Sequence, residues 1–198
     1  MYKKKMVFIF VFICIIVFCI FYYIFLGTGN NIIRKENDVV EDIFESLADY
    51  EANIDVIVKS NKNENRYNMN QFVENEKTKL VVNSPEEVKG LTIELSENVL
   101  TVSNSNINMK KVYENYNSII NNSLFLNAFI DDCKNNRIET YEEYNEIIVK
   151  VNTNNKNTYK QIKELYIDKE KEVPIKLIIK DNAQNINTSI IYNDIKIK

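Results

Sequence analysis

The sequence predicts an α+β fold in which a single curved antiparallel sheet, a half-open β-barrel, holds two helices on its concave face and follows an N-terminal transmembrane helix. Three observations predict it. An uncharged apolar run of membrane-spanning length lies near the N-terminus. Most of the remaining chain alternates apolar and polar residues, and the short polar turns between these runs require antiparallel pairing. Two segments instead show helical spacing with one apolar stripe.

The N-terminal run extends from Met6 to Leu26 and contains 21 residues without a charge. As a helix it is roughly 31 Å long, which matches the hydrocarbon core of a bilayer. Lys3, Lys4 and Lys5 precede it. Because positive residues favour the cytoplasmic side, we expect a membrane anchor with the N-terminus in the cytoplasm and the bulk of the chain outside the cell membrane.

Two other interpretations of this segment compete with an uncleaved anchor. The run is long for a cleaved signal peptide, although Gly27-Thr28-Gly29 is a suitable peptidase site. A lipoprotein anchor needs small residues before its cysteine, whereas Cys14 and Cys19 both follow bulky residues. We therefore favour the uncleaved anchor, and the predicted organisation is a basic tail at 1–5, a transmembrane signal anchor at 6–26, a tether at 27–36 and an extracytoplasmic domain at 37–198.

Composition limits the chemistry of the extracytoplasmic part. Three of the 25 basic residues precede the anchor, so 22 remain against 28 acidic residues, and this acidic balance argues against nucleic acid as a partner. Cys133 is the one cysteine beyond the anchor, and the chain has no histidine. No internal disulfide, usual zinc ligand set, phosphate loop or serine-nucleophile motif is available. We predict that the protein is not an enzyme and uses no metal or cofactor.

The first helical segment follows the tether, with Asn37 as a reasonable N-cap and an apolar stripe that includes Phe44, Leu47 and Tyr50. From Ala52 the period changes to two, with Ile54 and Val56 on one side, and three strands follow, of which the last contains Leu80. These elements predict one helix followed by the first strands of the sheet.

The middle of the sheet is read from the stretch SPEEVKGLTIELSENVLTVSN. Pro85 stops the third strand and Gly90 permits a turn, so a hairpin follows. Leu91, Ile93 and Leu95 face one side of this hairpin, where they are candidates to line a cavity or to contact the helix stripes in a dry core.

The rest of the chain returns to a helix and then to strands. Residues 107–121 show no steady period, and we predict an extended crossing followed by a loop, in which Tyr113 and Tyr116 serve for recognition or cap the edge of the core. Ser123 begins the second predicted helix, whose apolar stripe includes Cys133. About four strands follow, and one of them places Lys163, Leu165 and Ile167 on one side. The total is about nine or ten strands, enough for a twisted sheet to curl.

The predicted architecture resembles the LolA and LolB lipoprotein-carrier fold. Residues 78–113 resemble the central run of that superfamily, namely a strand, a Ser-Pro turn, a hairpin and an extended segment. Residues 159–197 resemble its final meander, including a proline after the turn and a closing strand with Tyr-Asn. Within the superfamily, the sequence is most similar to the germination lipoprotein GerS and its relatives in spore-forming clostridia.

The resemblance implies a function without chemistry of its own. Proteins similar to GerS are non-enzymatic partners of a spore-cortex N-acetylmuramoyl-L-alanine amidase, and the catalytic zinc belongs to that partner. We therefore expect a membrane-anchored adaptor for a cell-wall amidase that acts in sporulation or germination. The alternative from the same resemblance is a carrier that binds the acyl chain of a lipid or lipoprotein in the concave cavity.

Overall fold

The computed structural model describes residues 39–75, 77–116, 124–153 and 162–198. The chain divides into two compact units, Met1–Asp42 and Ile43–Lys198. Only the helical residues 39–42 of the first unit are described. The predicted anchor from Met6 to Leu26 lies outside the described residues, and none of the helices within them is long and apolar enough to span a bilayer.

The second unit is built on one sheet of eleven antiparallel strands. Their order across the sheet is β6-β5-β4-β3-β2-β1-β11-β10-β9-β8-β7, so the sheet is not closed and β6 and β7 are its edges. The strands are β1 Tyr50–Lys59, β2 Glu64–Glu74, β3 Lys77–Ser84, β4 Leu91–Ser96, β5 Val99–Asn104, β6 Met109–Tyr113, β7 Ile138–Glu143, β8 Glu146–Asn152, β9 Ile162–Asp168, β10 Val173–Lys180 and β11 Ile186–Ile197.

The described part of the chain contains two α-helices, as predicted, but the end of the first and the start of the second differ from the sequence interpretation. Helix α1 covers residues 39–46 among those described, and Tyr50 begins β1 instead of continuing the helical stripe. Tyr50 fits both the helical and the strand pattern, because it lies two residues before Ala52 and on the same buried face of the strand. Helix α2 spans Leu126–Asn135. The predicted start at Ser123 lies outside the described residues, and the two residues before Leu126 are not helical.

The predicted number of strands, about nine or ten, is too low because the sequence interpretation missed both edge strands. β6 occupies part of the segment predicted as an extended crossing and loop, and β7 was not predicted. All five residues of β6 are exposed, and most of β7 is exposed too. A strand that is solvated on both faces has no reason to alternate apolar with polar residues.

The two faces of the sheet are distinguished by the alternation of side chains. The inner face is the one that carries Tyr50, Gln71 and Leu165, and the N–H of Leu126 at the start of α2 donates to the hydroxyl of Tyr50. The outer face carries Asn53 and Tyr166, among others. Burial alternates along β1 and β3, since every second residue of each strand faces inward, and in β1 this is the predicted alternation.

Hydrogen bonds join the turn that precedes β4 to the segment that follows β5. Gly90 has φ +79°, and its N–H donates to the carbonyl of Val82 at 2.8 Å. The side chain of Asn104 donates to the carbonyl of Lys89 at 3.2 Å and accepts from the N–H of Asn106 at 2.9 Å. The turn predicted at Gly90 is therefore confirmed, and the asparagines hold the hairpin's ends together.

Candidate binding surface

The inner face is tightly buried over β1 and the strands on the β7 side of it. One row of cross-strand neighbours runs from β1 to β8. Its members are at most 1% exposed, and they are Val56, Ile190, Leu177, Leu165 and Val149. Such a row has no room for a ligand, because its side chains contact protein atoms on every side.

A short series of hydrogen bonds connects the start of α2 to this part of the sheet. The hydroxyl of Tyr50 donates to Oε1 of Gln71 at 3.1 Å and accepts from the N–H of Leu126 at 3.3 Å. Nε2 of Gln71 donates to the carbonyl of Leu124 at 2.6 Å. The first N–H groups of a helix lack intrahelical partners, so the Tyr50 hydroxyl replaces a side-chain cap, and burial raises the pKa of Tyr50 above its usual value.

The far end of α2 is held by an ion pair and by apolar contacts. Lys163 of β9 is buried on the inner face, as predicted from its place on the same side of the strand as Leu165. Its Nζ forms an ion pair with Asp132 of α2. Cys133 is buried, and burial, followed by the charge of Asp132, raises the pKa of its thiol to about 12. A thiol with such a pKa is protonated near neutral pH and is a poor nucleophile. The predicted place of Cys133 on the apolar stripe is confirmed.

On the other side of β2, the apolar side chains of the inner face become less buried toward the β6 edge. One cross-strand row consists of Leu80, Ile93, Val102 and Lys111. Leu80 is buried, Ile93 and Val102 are half-buried, and Lys111 is exposed. We call the inner face of β4, β5 and β6 the graded surface.

The candidate cavity residues all lie in the graded surface. Leu95 is buried beside Thr78 of β3, whereas Leu91 and Ile93 are half-buried. The structure therefore brings the three side chains to one face, as predicted. Their role as the lining of a lipid cavity stays a prediction.

The graded surface ends at a strand whose second edge has no partner among the described residues. Ile107 is 69% exposed just before β6, and Met109, Val112 and Tyr113 on the strand are exposed apolar or aromatic side chains. Nζ of Lys111 lies 5.3 Å from the ring centroid of Tyr113. Tyr113 is thus on the surface at the edge of the sheet, and its role in recognition or in capping the edge of the core stays a prediction.

Two cavities include charged side chains in their linings. One of about 530 Å³ lies beside the C-terminal end of α2 and is lined by Asn135, Arg137, Glu139 and Lys150, among others. A second, of about 360 Å³, is lined by Leu95 and Phe72 together with charged residues that include Lys198. Neither lining is the continuous apolar wall that an acyl chain requires.

The outer face carries a polar network that the sequence interpretation missed. Asn53 Nδ2 donates to Oδ1 of Asn70 at 2.7 Å, and Asn68 Nδ2 donates to Oδ1 of Asp55 at 2.8 Å. Asn193 Nδ2 donates to the other carboxylate oxygen of Asp55 at 2.9 Å. The bonds from Asn68 and Asn193 hold the pKa of Asp55 below its usual value. The asparagines come from three strands, so only the register brings them together.

Comparison with solved structures yields the predicted fold. A chain of the structure of the CwlD amidase from Clostridioides difficile in complex with the GerS lipoprotein matches 82% of this chain over 95% of its own length, with 21% identity and a TM-score of 0.55. An uncharacterized conserved protein from Thermus thermophilus matches 82% of this chain over 86% of its own, with 9% identity and a TM-score of 0.54. A LolA superfamily protein from Nitrosomonas europaea matches 80% over 93%, with 12% identity and a TM-score of 0.43.

The predicted resemblance to GerS is confirmed at the level of the fold. No curated protein matches the sequence significantly. A family model described as "Sporulation protein YdcC-like" matches residues 3–198, which is nearly the whole sequence. The chain therefore belongs to the YdcC-like family of sporulation proteins.

Proposed function

We propose that this protein is a membrane-anchored, non-enzymatic adaptor that binds a spore-cortex cell-wall amidase and supports its action in sporulation or germination. The observation that carries the proposal is the graded surface, whose edge strand β6 pairs only with β5 among the described residues, on a fold shared with a chain of an amidase–lipoprotein complex. Membership of a sporulation family supports the biological context. The apolar run from Met6 to Leu26 supports attachment to the membrane.

The arrangement of the reactive side chains supports a binding role over an enzymatic one. The Cys133 thiol is buried with a raised pKa, and Asp132 is occupied by the buried Lys163. Among the described residues, no group of three or more acidic or cysteine side chains is placed to hold a metal ion. An adaptor needs none of these groups, since its contribution is to bind and orient the enzyme that carries the chemistry.

The test is reconstitution of the full chain, in detergent, with the amidase of the same organism. We expect a complex of fixed stoichiometry by size-exclusion chromatography with light scattering, and a higher rate of amide cleavage on purified cortex muropeptides than the amidase shows alone. The full chain by itself should release no product. Absence of a complex together with an unchanged rate would contradict the proposal, and turnover by the chain alone would contradict its non-enzymatic part.

A carrier of lipid or lipoprotein acyl chains is the second candidate. It is favoured by the incomplete burial of Leu91 and Ile93 on the inner face. It is disfavoured by the close packing of the row from Val56 to Val149 and by the charged lining of the cavities. Native mass spectrometry of the full chain after incubation with a fluorescent fatty acid decides between them: the adaptor predicts no stoichiometric adduct, and the carrier predicts one per chain.

A further inference from the structure

We propose that the free edge of β6 binds an extended strand of a protein partner and that this strand carries two adjacent acidic residues. The proposal rests on the adaptor function and assigns a surface to it. Alternate residues of an edge strand direct their N–H and C=O groups away from the sheet. In the described part of the chain, only β5 pairs with β6, and all residues of β6 are exposed. Strand addition satisfies such groups and is a common way to bind a peptide segment.

The side chains of β6 are placed to continue the graded surface onto an added strand. Met109, Lys111 and Tyr113 lie on the inner face opposite Asn104, Val102 and Leu100 of β5. Val102 and Leu100 are only half-buried. An added strand with apolar residues opposite Met109 and Tyr113 would cover part of this surface. The burial of each apolar side chain would strengthen binding of the added strand.

The charges on β6 select the chemistry of the added strand. Lys110 points to the outer face and Lys111 to the inner face, so each lysine meets a different residue of a neighbouring strand. Opposite charges directly across two strands stabilise the pair, whereas like charges destabilise it. The partner strand should therefore carry acidic residues opposite both lysines, and apolar residues opposite Met109, Val112 and Tyr113.

The same charges disfavour a second copy of this chain as the occupant. Two β6 strands paired across a two-fold axis centred on the middle of the strand would place Lys111 opposite Lys111 of the other copy. A lipid surface is disfavoured by the backbone, because hydrocarbon offers no partner to the unpaired N–H and C=O groups of an edge strand. An acidic peptide strand satisfies both the backbone and the two lysines.

The experiment uses the full chain in nanodiscs of phosphatidylcholine and a labelled synthetic peptide with the order Thr-Val-Ile-Glu-Glu-Val-Thr. A second peptide has Lys-Lys in place of Glu-Glu. We expect the glutamate peptide to bind about tenfold more tightly by fluorescence anisotropy, as two cross-strand charge pairs imply. Hydrogen exchange should then be slowed in residues 109–113 by the glutamate peptide.

Charge reversal provides the decisive comparison. The variant K110E/K111E should prefer the lysine peptide, whereas the control variant K62E/K134E, with both changes on exposed residues away from β6, should keep the preference of the unmodified chain. Circular dichroism melting confirms that each variant is folded. Equal affinity for the two peptides, an unchanged preference in K110E/K111E, or protection confined to other strands would each overturn the proposal.

Two further outcomes separate the alternatives. Slower exchange in residues 109–113 in nanodiscs that contain phosphatidylglycerol, without any peptide, would assign β6 to the lipid surface and overturn the proposal. The peptide experiment contains no amidase. A chain that binds the amidase and not the glutamate peptide therefore rejects the β6 assignment alone, and the reverse result rejects the proposed function alone.

Discussion

The strands on the β7 side of β1 and those on the β6 side differ in how completely their inner face is buried. On the β7 side, burial is complete through β8, the strand before the edge, whereas on the β6 side it weakens already at β4. Helix α2 accounts for part of the difference, since its described contacts reach Tyr50 of β1 and Lys163 of β9. The β7 side of the sheet is thus a packed core that stabilises the fold, and the β6 side leaves apolar surface available for contact with another molecule.

The largest expected effect compares the same substitution on both sides of the sheet. Leu165→Ala removes a fully buried side chain from β9, and we expect a loss of about 3 kcal/mol in the free energy of unfolding, because a cavity is left in a packed core. Leu100→Ala removes a half-buried side chain from β5, where solvent replaces the lost atoms, and about 1 kcal/mol is expected. Urea unfolding of the full chain, followed by tyrosine fluorescence, measures both.

Equal losses for the two variants would break the comparison. They would mean that the graded surface is part of the core and is not available to a partner. A further check is amidase binding, which Leu100→Ala should weaken and which Leu165→Ala should leave unchanged at a temperature where it is still folded.

The ion pair between α2 and β9 gives the second effect. Asp132→Ala leaves Lys163 buried without its partner, and we expect a loss of about 2 kcal/mol, less than for a fully buried pair because Asp132 is partly exposed. The double variant D132L/K163M should recover most of this loss, since apolar residues can replace a buried pair. Glu94→Gln, which breaks the half-exposed pair with Lys79, is the control and should cost less than about 1 kcal/mol.

Much of this core could be predicted from the sequence. The alternation of Ile54 and Val56, and of Leu165 and Ile167, correctly identifies inward-facing residues, because a strand with one buried face needs a strict period of two. The inward position of Lys163 also followed from this register. Its partner Asp132 could not be predicted, because nothing local in the sequence states which strand a helix will contact.

The candidate surface was less predictable for a physical reason. β6 and β7 are edge strands, and their charged residues, such as Lys110 and Glu142, keep them soluble on both faces. The same charges hide the alternation on which strand prediction depends. The outer network was missed because Asn53 and Asn68 are distant in sequence and become neighbours only through the pairing of β1 with β2.

The third effect concerns the connection that fixes the hairpin of the graded surface. Gly90→Ala places a side chain at φ +79°, and its Cβ would lie 2.9 Å from Nδ2 of Asn106. We expect a loss of about 1 kcal/mol from the backbone conformation, with more from the displaced asparagine. The double variant G90A/N106A separates the two: it should remove the steric part and keep the backbone part. A loss that vanishes in the double variant would show that the backbone conformation costs nothing. Thermal unfolding of the full chain gives both values.

The smallest effect tests the outer face through pH. The pKa of Asp55 is lower in the folded chain than its ordinary value of 3.8, chiefly through the bond from Asn68 and then that from Asn193. The unfolded chain therefore binds more protons in this range, so stability from Asp55 is complete above the ordinary pKa and is lost as the pH falls through the lowered folded pKa. The fall in urea stability from about pH 6 to about pH 3 should be shallower in Asn68→Ala than in the unmodified chain, and intermediate in Asn193→Ala. Ser103→Ala, on the outer face and outside this network, is the control. An unchanged slope in Asn68→Ala would mean that solvent already satisfies the carboxylate, and the bond from Asn68 would then contribute nothing to the pH dependence of stability.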